Sequence, residues 1–372
     1  MPDRVLWLMK GLGLGGAERL LALMAPKLDS ERFEVEVAYL LPWKDAFVPD
    51  LERAGIRTTC LQARRTVDPG WVRRLRRLFT ERQIDLVHTH SPVPAAAARL
   101  LVSDEVRVLH TEHNVWDRYR WPTYAANAAT YGRNDAVLAV SDGVAASVHR
   151  PRWLPRASYP PVETLLHGVD VDDARRGTDA RRDARQLLGL PDDVPVIGNV
   201  ANLTPKKDHS SLLQAVARLR AQHPDLVTVL IGTGPLEAEL RQQVMDLGLV
   251  DHVRFLGMRD DVLDLLPALD AFALSSRYEG LPISMLEAMA SEVACVLTRA
   301  GGIPEAVEDG EEGLLVPVGD PDALACALSQ VLTDADMRRR LGTHARERVR
   351  RDFSIDRAVQ TLEERYTEVL TG

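Results

Sequence analysis

Short apolar runs alternate with longer amphipathic stretches along the whole chain. Runs of this kind predict buried strands of a parallel sheet, and the stretches between them predict helices. In the first half, the predicted strands are residues 5–9, 35–41, 86–90, 106–110 and 137–140. In the second half, they are residues 196–200, 227–231, 253–256, 271–274, 294–297 and 314–316. The pattern therefore predicts two successive βαβ arrays.

A charged, arginine-rich interval without strand character, residues 172–185, separates the two arrays. We expect an α/β chain of two doubly wound, Rossmann-like domains, residues 1–170 and 191–353, with a connector at 171–190. The carboxyl ends of the strands in each domain are expected to face the other domain across a cleft. In open α/β sheets this is the edge where ligands bind.

Composition is that of an ordinary globular protein, with 45% hydrophobic and 27% charged residues among 372. The net charge of −8 argues against a nucleic-acid partner. The cysteines Cys60, Cys295 and Cys326 are scattered, so we expect neither a disulfide framework nor a structural zinc site. The apolar run at 5–9 is too short for a signal peptide or a membrane span, and we therefore expect a cytoplasmic protein.

Two glutamates, Glu279 and Glu287, stand eight positions apart in the stretch SSRYEGLPISMLEAMA, residues 275–290. A predicted strand leads into a Glu-Gly-Leu-Pro turn, and a helix is predicted to begin at about Pro282. Glu279 then lies at the turn, and Glu287 lies at most about 12 Å further along the helix axis. The first N–H groups of the helix lie between the two carboxylates. Such an anion site suits a phosphorylated polyol, which indicates a sugar nucleotide.

For an arbitrary helix, the alternative is that Glu279 caps the helix and Glu287 is solvated. Here, however, EGLPISMLEAMA with its Glu-x7-Glu spacing resembles the signature of retaining glycosyltransferases of family 4, which have the GT-B fold. Further motifs resemble that family in its order along nearly the whole chain. They are GLGGAERLL (13–21), DLVHTH (85–90), HTEHN (110–114), AVSDGV (139–144), HGVD (167–170), GNVANLTPKKD (198–208), VLIGTGP (229–235), VRFLGMRDDV (253–262), GGIPEAV (301–307) and EGLLVPVGDPDAL (312–324).

By this resemblance, the catalytic residues are His113, Lys207 and Glu279, of which His113 and Glu279 hold hydroxyl groups of the transferred sugar. Glu287 would bind the ribose, and the last helix, 354–372, would return to the first domain. The other donor-binding residues, which accommodate the diphosphate and the base, are Gly15, Gly16, Asn202, Gly232, Gly234, Met258, Arg259, Gly280 and Leu281. No enzymic nucleophile is evident, so the family implies attack on the same face, with the leaving phosphate taking the acceptor's proton. Neither a metal nor a cofactor is expected.

Lys207 stands five residues after Asn202, where the family has Arg-Leu-x-x-x-Lys. Cations at these places would stabilise the charge that develops on the leaving diphosphate. Asparagine donates a hydrogen bond but has no charge, so Asn202 departs from the family pattern. Either Lys206 or the helix start near Gly280 could make up for the missing charge. The alternative is that Lys206 and Lys207 form a solvated loop pair.

A competing motif stands near the N-terminus. Gly11, Gly13 and Gly16 form G-x-G-x-x-G after a predicted strand, the pattern of dinucleotide-dependent dehydrogenases. That fingerprint also requires an acidic residue at the end of the second strand. Here the strand ends in AYLLPW, residues 38–43, and the next acid is Asp45. The dehydrogenase interpretation therefore fails in its own context.

Two patterns suggest metal binding, and neither is persuasive. The histidines of the first half, His88, His90, His110 and His113, are close in sequence. However, His110 and His113 would point to opposite sides of an extended segment, and no cysteine or aspartate completes a tetrahedron. The Asp-x-Asp at 170–172 is similar to a metal motif of another glycosyltransferase fold, but it follows His167-Gly168 in a predicted interdomain loop, so we interpret it as chance.

Residues 69–82, PGWVRRLRRLFTER, predict a basic amphipathic helix. Its apolar face consists of Trp71, Leu75, Leu78 and Phe79, arginines cover the remainder, and Arg64 and Arg65 add to the local charge. Such a helix can lie on an anionic bilayer, on the inner face of the membrane, and many enzymes of the family glycosylate lipid-linked acceptors. The preferred interpretation is a surface helix that packs its apolar face on the sheet. Peripheral membrane contact is the alternative.

We therefore expect a retaining glycosyltransferase that moves a sugar from a nucleoside-diphosphate sugar, with UDP favoured over GDP. The acceptor would be a hydroxyl of a glycan, a lipid-linked molecule or a small molecule. A sugar-nucleotide epimerase of the same fold and a non-catalytic sugar-nucleotide-binding protein are the alternatives. The epimerase would convert a sugar nucleotide alone, whereas the binding protein would turn nothing over.

Overall fold

The protein is described by a computed structural model that covers residues 1–64, 68–154 and 158–372. The chain forms two compact units. The first unit consists of Met1–His167 and Ile355–Gly372, and the second consists of Gly168–Ser354.

The described part of the first unit contains a sheet of seven parallel strands in the order β3-β2-β1-β4-β5-β6-β7. The strands are β1 (Asp3–Met9), β2 (Phe33–Tyr39), β3 (Arg57–Cys60), β4 (Leu86–Thr89), β5 (Arg107–Glu112), β6 (Ala136–Ala139) and β7 (Val162–Thr164). The helices between them are α1 (Gly16–Met24), α2 (Val48–Arg53), α3 (Pro69–Arg82), α4 (Pro92–Leu101), α5 (Trp121–Thr130) and α6 (Asp142–Ser147). Strands β3 and β7 were not predicted, because they are short, partly exposed and rich in polar residues.

The described part of the second unit contains a sheet of six parallel strands in the order β10-β9-β8-β11-β12-β13. The strands are β8 (Val196–Val200), β9 (Val227–Ile231), β10 (Val253–Gly257), β11 (Ala271–Leu274), β12 (Cys295–Thr298) and β13 (Gly313–Val316). The helices are α7 (Gly177–Leu187), α8 (His209–Leu219), α9 (Glu237–Asp246), α10 (Val262–Leu265), α11 (Ile283–Ala290), α12 (Ile303–Ala306), α13 (Pro321–Thr333) and α14 (Ala335–Asp352). Short 3-10 turns occupy Ala25–Lys27, Trp116–Arg118, Tyr131–Arg133, Pro205–Lys207 and Leu266–Ala268.

Helix α7 lies in the interval that the sequence analysis assigned to a connector. It belongs to the second unit, since Arg181 and Arg185 both donate to the buried carboxylate of Asp270, at 2.8 and 3.0 Å. Its buried small residues are Ala180 and Ala184. Alanines give no apolar stripe that would have indicated a packed helix, which explains why the interval resembled a linker.

Helix α3 packs its apolar face into the core of the first unit. Trp71, Leu75 and Leu78 are buried in one cluster with strand residues of the sheet, and Phe79 packs against that cluster. The apolar face therefore serves the core, as the preferred interpretation held, and it is not free to enter a bilayer. Arg65 lies outside the described residues. Within those residues, no helix combines the length and the apolar content needed to cross a membrane.

The C-terminal helix, α15 (Ile355–Thr371), is part of the first unit. The predicted face is buried, with Ile355, Val359, Leu362 and Tyr366 each at most 5% exposed. The Trp7 indole N–H donates to the Tyr366 hydroxyl at 2.6 Å, and that hydroxyl lies 2.6 Å from Nδ1 of His88. Both polar contacts lie in the interior, so they fix the helix on strands β1 and β4 as well as burying its apolar face.

Candidate active site

The loops at the carboxyl ends of the second unit's strands carry most of the predicted donor residues. Strand β8 is followed by Asn202 and Lys207, and β11 is followed by the turn that contains Glu279. These two strands are neighbours in the sheet, and the strand order runs outward from them in opposite directions. This is the topological switch point, where the two connections diverge and open α/β sheets bind their ligands.

The loops after β8 and β11 are fastened to each other by backbone contacts. The Ser275 hydroxyl donates to the carbonyls of Lys207 and Asp208, at 3.0 and 2.8 Å, and the Arg277 N–H donates to the Lys206 carbonyl at 2.8 Å. Asp208 has a φ of +46°, a left-handed conformation that aspartate tolerates. This sharp turn ends the 3-10 segment at Lys207 and begins α8.

Two lysines converge on the carboxylate of Glu279. Lys207 Nζ lies 2.5 Å from Oε1, and Lys206 Nζ lies 3.4 Å from Oε2. The Ser276 hydroxyl also donates to Oε1, at 2.6 Å. The Lys207 side chain is 14% exposed and that of Glu279 is 4% exposed. The contact is therefore a charge-assisted cluster in a largely desolvated place.

The electrostatics of this cluster are set by burial and by the three charges. Burial lowers the pKa of Lys207, Lys206 lowers it further, and Glu279 offsets only part of this. Burial by itself would raise the pKa of Glu279, but the two lysines and the hydrogen bonds from Lys207 and Ser276 outweigh it, so that its pKa is lowered. Glu279 is thus an ionised carboxylate at neutral pH, and it holds a lysine whose charge is costly to bury.

The end of β12 and the loop after it hold the turn that contains Glu279 in place. The Thr298 hydroxyl donates to the Ser276 carbonyl at 2.6 Å, and the Gly302 N–H donates to the Gly280 carbonyl at 2.9 Å. Gly301 has a φ of +56°, and a Cβ at this position would collide with the carbonyl of Glu279. Position 301 therefore requires glycine on two counts, and the turn has little freedom to move.

Helix α11 begins at Ile283, one residue later than predicted, with Pro282 in extended conformation before it. Glu287 lies on this helix and is 4% exposed, so the solvated alternative is wrong. Gly280 and Leu281 precede the helix in the same turn as Glu279. The start of a helix leaves N–H groups without partners inside the helix, which is the property that the predicted anion site needs.

The remaining predicted residues of the second unit also follow its strands. Gly232 and Gly234 come after β9, and side chains at these positions would collide with the backbone carbonyls of residues 201 and 203. The two glycines keep the segment after β9 close to the loop that contains Asn202. Asn202 itself is exposed. Met258 and Arg259 come after β10. Met258 is 41% exposed, while Arg259 Nε donates to Asp261 Oδ1 at 2.7 Å.

Gly15 and Gly16 lie at the start of α1 in the first unit, after β1. Gly15 is the residue before the helix and Gly16 is its first residue. A Cβ at Gly15 would meet only the side chain of Glu18, and a Cβ at Gly16 would meet no described protein atom within 4 Å. No contact within the described protein explains why Gly16 lacks a side chain.

His113 follows β5 and lies in a cluster of histidines. His90 Nδ1 lies 3.2 Å from His113 Nε2, and the rings of His88 and His90 are 4.0 Å apart. A small cavity lined by His88, His90, His113 and His167 has room for an ordered water. Burial, together with His167 and His110, lowers the pKa of His113 to about 3, so the ring is neutral at neutral pH.

The other polar residues of the HTEHN segment have structural contacts. Glu112 is buried and accepts hydrogen bonds from Trp116, Tyr119 and Asn127, at 2.8, 2.6 and 3.1 Å. His110 contacts the same carboxylate at 3.2 Å. Among the described residues, no group of three or more histidines, cysteines or acids is arranged to hold a metal ion. In the Asp-x-Asp pattern, Asp170 accepts from the N–H of Asp172 at 3.1 Å, as expected for a turn.

Known proteins match both units. The family described as Glycosyltransferase Family 4 matches residues 14–173, and the family described as Glycosyl transferases group 1 matches residues 180–348. The GDP-mannose-dependent alpha-(1-6)-phosphatidylinositol monomannoside mannosyltransferase of Mycobacterium tuberculosis is 30% identical over 96% of this chain and 95% of its own length. The chain belongs to the group 1 glycosyltransferases.

Other comparisons agree with this family. The glycosyltransferase is similar to the N-acetyl-alpha-D-glucosaminyl L-malate synthase of Bacillus anthracis, at 29% identity over 77% of this chain and 75% of that relative. Its fold matches the crystal structure of Anabaena HepE in complex with UDP and glucose, with a TM-score of 0.85 and 22% identity over 98% of this chain and 100% of the other. The predicted family and fold class, with two Rossmann-like parallel sheets, are confirmed.

Sequence reasoning missed two residues of the glycosyltransferase that shape the Glu279 turn. The Ser276 hydroxyl donates to the Glu279 carboxylate, and Gly301 lies against the backbone of Glu279. Serine at a loop start is too common to single out, and Gly301 stands 22 positions beyond Glu279. The paired glycines of GGIPEAV were the one available signal, since adjacent glycines indicate a position that side chains cannot occupy.

Proposed function

We propose that this glycosyltransferase moves a sugar from a nucleoside-diphosphate sugar to an acceptor hydroxyl, with retention of configuration and without a metal ion. The observation that carries the proposal is the Lys206–Lys207–Glu279 cluster at the switch point of the second sheet. It combines cations for a diphosphate with a carboxylate for sugar hydroxyls, on two loops that hydrogen-bond to each other.

In this proposal each part of the second unit holds one part of the donor. Lys207 and the amides of Gly280 and Leu281 bind the diphosphate, and Glu279 accepts hydrogen bonds from hydroxyls of the transferred sugar. The buried carboxylate of Glu287 binds the ribose diol. Gly232 and Gly234 make room for the nucleotide, and Met258 and Arg259 lie along the edge of the base. Asn202 donates a hydrogen bond but brings no charge. Glu287 lies on α11, and the others follow the carboxyl ends of β8, β9, β10 and β11.

Two parts of the first unit, taken by themselves, also suit a sugar-nucleotide donor. Gly15 and Gly16 leave the start of α1 open to a phosphate, in keeping with the lack of any described protein atom near a Cβ at Gly16. His113, a neutral imidazole, would exchange a hydrogen bond with a sugar hydroxyl. The acceptor is a hydroxyl of a glycan, of a lipid-linked molecule or of a small molecule.

The proposed reaction balances without an enzymic nucleophile. The acceptor oxygen forms a bond to the anomeric carbon on the face from which the phosphate leaves, as the bond from that carbon to the phosphate oxygen breaks. The leaving diphosphate takes the proton of the acceptor hydroxyl. Because charge develops on the diphosphate, lysines that bind it more strongly in the transition state lower the barrier. These cations also provide the neutralisation that a metal ion would otherwise supply.

Binding calorimetry with UDP, GDP, ADP and NAD in the presence of a chelator tests the proposal. We expect one nucleoside diphosphate to bind, with UDP screened first and GDP second, and Glu287→Ala to weaken that binding by about tenfold or more. Glu239→Ala removes an exposed glutamate of α9 and should leave the affinity unchanged. Binding of NAD alone, or binding only after a divalent metal is restored, would contradict the assignment. Conversion of a sugar nucleotide without an acceptor would favour the epimerase.

A further inference from the structure

The cluster on Glu279 contains more positive charge than its carboxylate can balance. Lys206 and Lys207 both approach Glu279, so the three side chains carry a net charge of about +1 at neutral pH. The neighbouring charges balance each other, because Arg277 pairs with Asp208 at 3.1 Å. Burial, with Lys207 adding to it, lowers the pKa of His209 to about 4, so this residue is neutral. The cluster therefore has an excess positive charge.

Lysine is also rare in this chain. Of the 46 cationic residues, only five are lysine, so 41 are arginine. The lysines are Lys10, Lys27, Lys44, Lys206 and Lys207. Two adjacent lysines thus stand at the switch point in a protein that otherwise uses arginine. The ammonium group is a compact point charge on a flexible stem, which allows it to move between two anions more easily than a planar guanidinium.

The two lysines differ in how tightly they are held. Lys207 makes the shorter contact with Glu279, and its side chain is the more buried of the two. The Lys206 side chain is 31% exposed, and its Nζ lies 3.4 Å from Oε2 of Glu279. The Lys206 ammonium also lies 5.7 Å from the centre of the Tyr278 ring. Its backbone carbonyl is held by Arg277, so the side chain can turn while the main chain stays in place.

We propose that Lys206 is a second diphosphate-binding residue, and that Glu279 holds both lysines in the free protein and yields them to the diphosphate when the donor binds. This inference rests on the proposed function. A diphosphate presents two anionic groups, one for each ammonium, and Asn202 brings no charge of its own. Once the lysines have moved to the phosphates, the Glu279 carboxylate is available to sugar hydroxyls. Diphosphate binding would therefore prepare the sugar-binding group.

Neutralising Lys206 tests the first part of the proposal. We expect Lys206→Gln to weaken binding of the nucleoside diphosphate, and of inorganic pyrophosphate, by about tenfold, as for the loss of one charge-assisted contact. Lys206→Arg should keep the affinity within about threefold, since it retains the charge. Arg277→Gln is the matched control, because it removes a cation of the neighbouring loop after β11 that pairs with Asp208 instead of Glu279. Equal affinities of Lys206→Gln and the wild type would overturn the proposal, as would an equal loss in Arg277→Gln.

Neutralising Glu279 tests the exchange of the lysines between the carboxylate and the phosphates. The expected change in diphosphate affinity is opposite to that for Lys206→Gln. Because the carboxylate competes with the phosphates for the lysines, Glu279→Gln should bind the nucleoside diphosphate about threefold more tightly than the wild type. The same variant should lose most of its transfer activity. A merely structural role for Glu279 predicts weaker binding, and that result would overturn the exchange. Thermal unfolding of the nearly isosteric Gln variant verifies that it is folded.

The two proposals fail in different ways. If the wild type binds no nucleoside diphosphate at all, the proposed function fails and this inference fails with it. If the wild type binds and Lys207→Gln weakens binding while Lys206→Gln does not, the donor site stands and only the role of Lys206 is wrong.

Discussion

The two units share one order over six strands, to which the first unit adds β7, but they differ in the polar groups at the carboxyl ends of their strands. Read outward from the central pair, both sheets follow the order of a doubly wound fold, with β1 beside β4 in the first unit and β8 beside β11 in the second. The second unit places a cluster of full charges there, Lys206, Lys207 and Glu279. The first unit places neutral histidines and a glycine-rich turn there.

This difference indicates which part of a substrate each unit suits. Full charges that are partly desolvated favour an anion such as a diphosphate. Neutral imidazoles favour neutral hydroxyl groups, because burial keeps the pKa of His88 and His90 well below the usual value and that of His113 at about 3. In the proposed function, one fold thus serves two kinds of chemistry, and the side chains after the strands determine which. The predictions below test this contrast, beginning with the largest expected effect.

The strongest test of the charged unit is Lys207→Ala. We expect turnover to fall by about a hundredfold or more, because the lysine stabilises charge that develops on the leaving diphosphate. Steady-state kinetics with the identified donor measure the loss. Lys27→Ala is the control, since it removes a lysine of the first unit that pairs with Asp356 at 3.1 Å. If turnover of Lys207→Ala falls by less than threefold, the assignment of Lys207 to the catalytic site is wrong.

Glycine substitutions should separate a functional glycine in the first unit from a structural one in the second. Gly16→Ala should leave the unfolding temperature unchanged or slightly raised, because the new methyl group meets no described protein atom, yet lower turnover by about tenfold by obstructing the phosphate. Gly301→Ala should lower the unfolding temperature, since a left-handed conformation costs about 1–2 kcal/mol in a residue other than glycine and the Cβ also meets the Glu279 carbonyl. Activity assays and thermal unfolding of both variants measure the contrast. Destabilisation by Gly16→Ala with normal turnover would reverse the assignment.

The smallest expected effect is a dependence of stability on pH that is concentrated in the first unit. Its buried histidines have pKa values below the usual 6.5, for His88, His90, His110 and His113 alike, chiefly because of burial. Between the lowered values and 6.5, the unfolded chain binds more protons than the folded one, so stability falls as the pH falls below about 6.5. We expect the unfolding temperature to drop by about 5 °C or more between pH 7.5 and 5.

The tryptophans allow this effect to be assigned to one unit. All six, Trp7, Trp43, Trp71, Trp116, Trp121 and Trp153, lie in the first unit, so their fluorescence follows its unfolding alone. Among the carboxylates of this unit, burial raises the pKa of Glu18 and Glu36, which opposes the effect of the histidines. Burial alone would also raise the pKa of Glu112, but its contacts with His110, Tyr119 and Trp116 outweigh burial and hold it at about 2, so Glu112 stays ionised in this range. His113→Asn removes one of the titrating groups and should make the dependence shallower. An unfolding temperature that stays constant from pH 7.5 to 5 would contradict the neutral-histidine interpretation.

Much of the fold could be predicted because its signals are local. The long apolar strands of both units matched the pattern within a few residues, since a buried parallel strand is recognisable from its own sequence. Three elements were not predicted, because their packing depends on neighbours that the local pattern does not contain. They are the edge strands β3 and β7 and helix α7, which packs through alanines. The apolar face of α3 was recognisable from its own residues, and the preferred interpretation, that it packs on the sheet, agrees with the structure.

The βαβ alternation, the family resemblance and the separate candidates Lys207, Glu279 and Glu287 can all be recognised from the sequence alone. Only the folded structure shows that Lys207 and Glu279, 72 residues apart, form one contact, that Lys206 joins them, and that Gly301 packs against the backbone of Glu279. This limit follows from how the sheet is assembled. Periodicity identifies each strand from its own residues, but which loops meet depends on the pairing of β8 with β11, and that pairing is set by how the crossovers pack on the sheet.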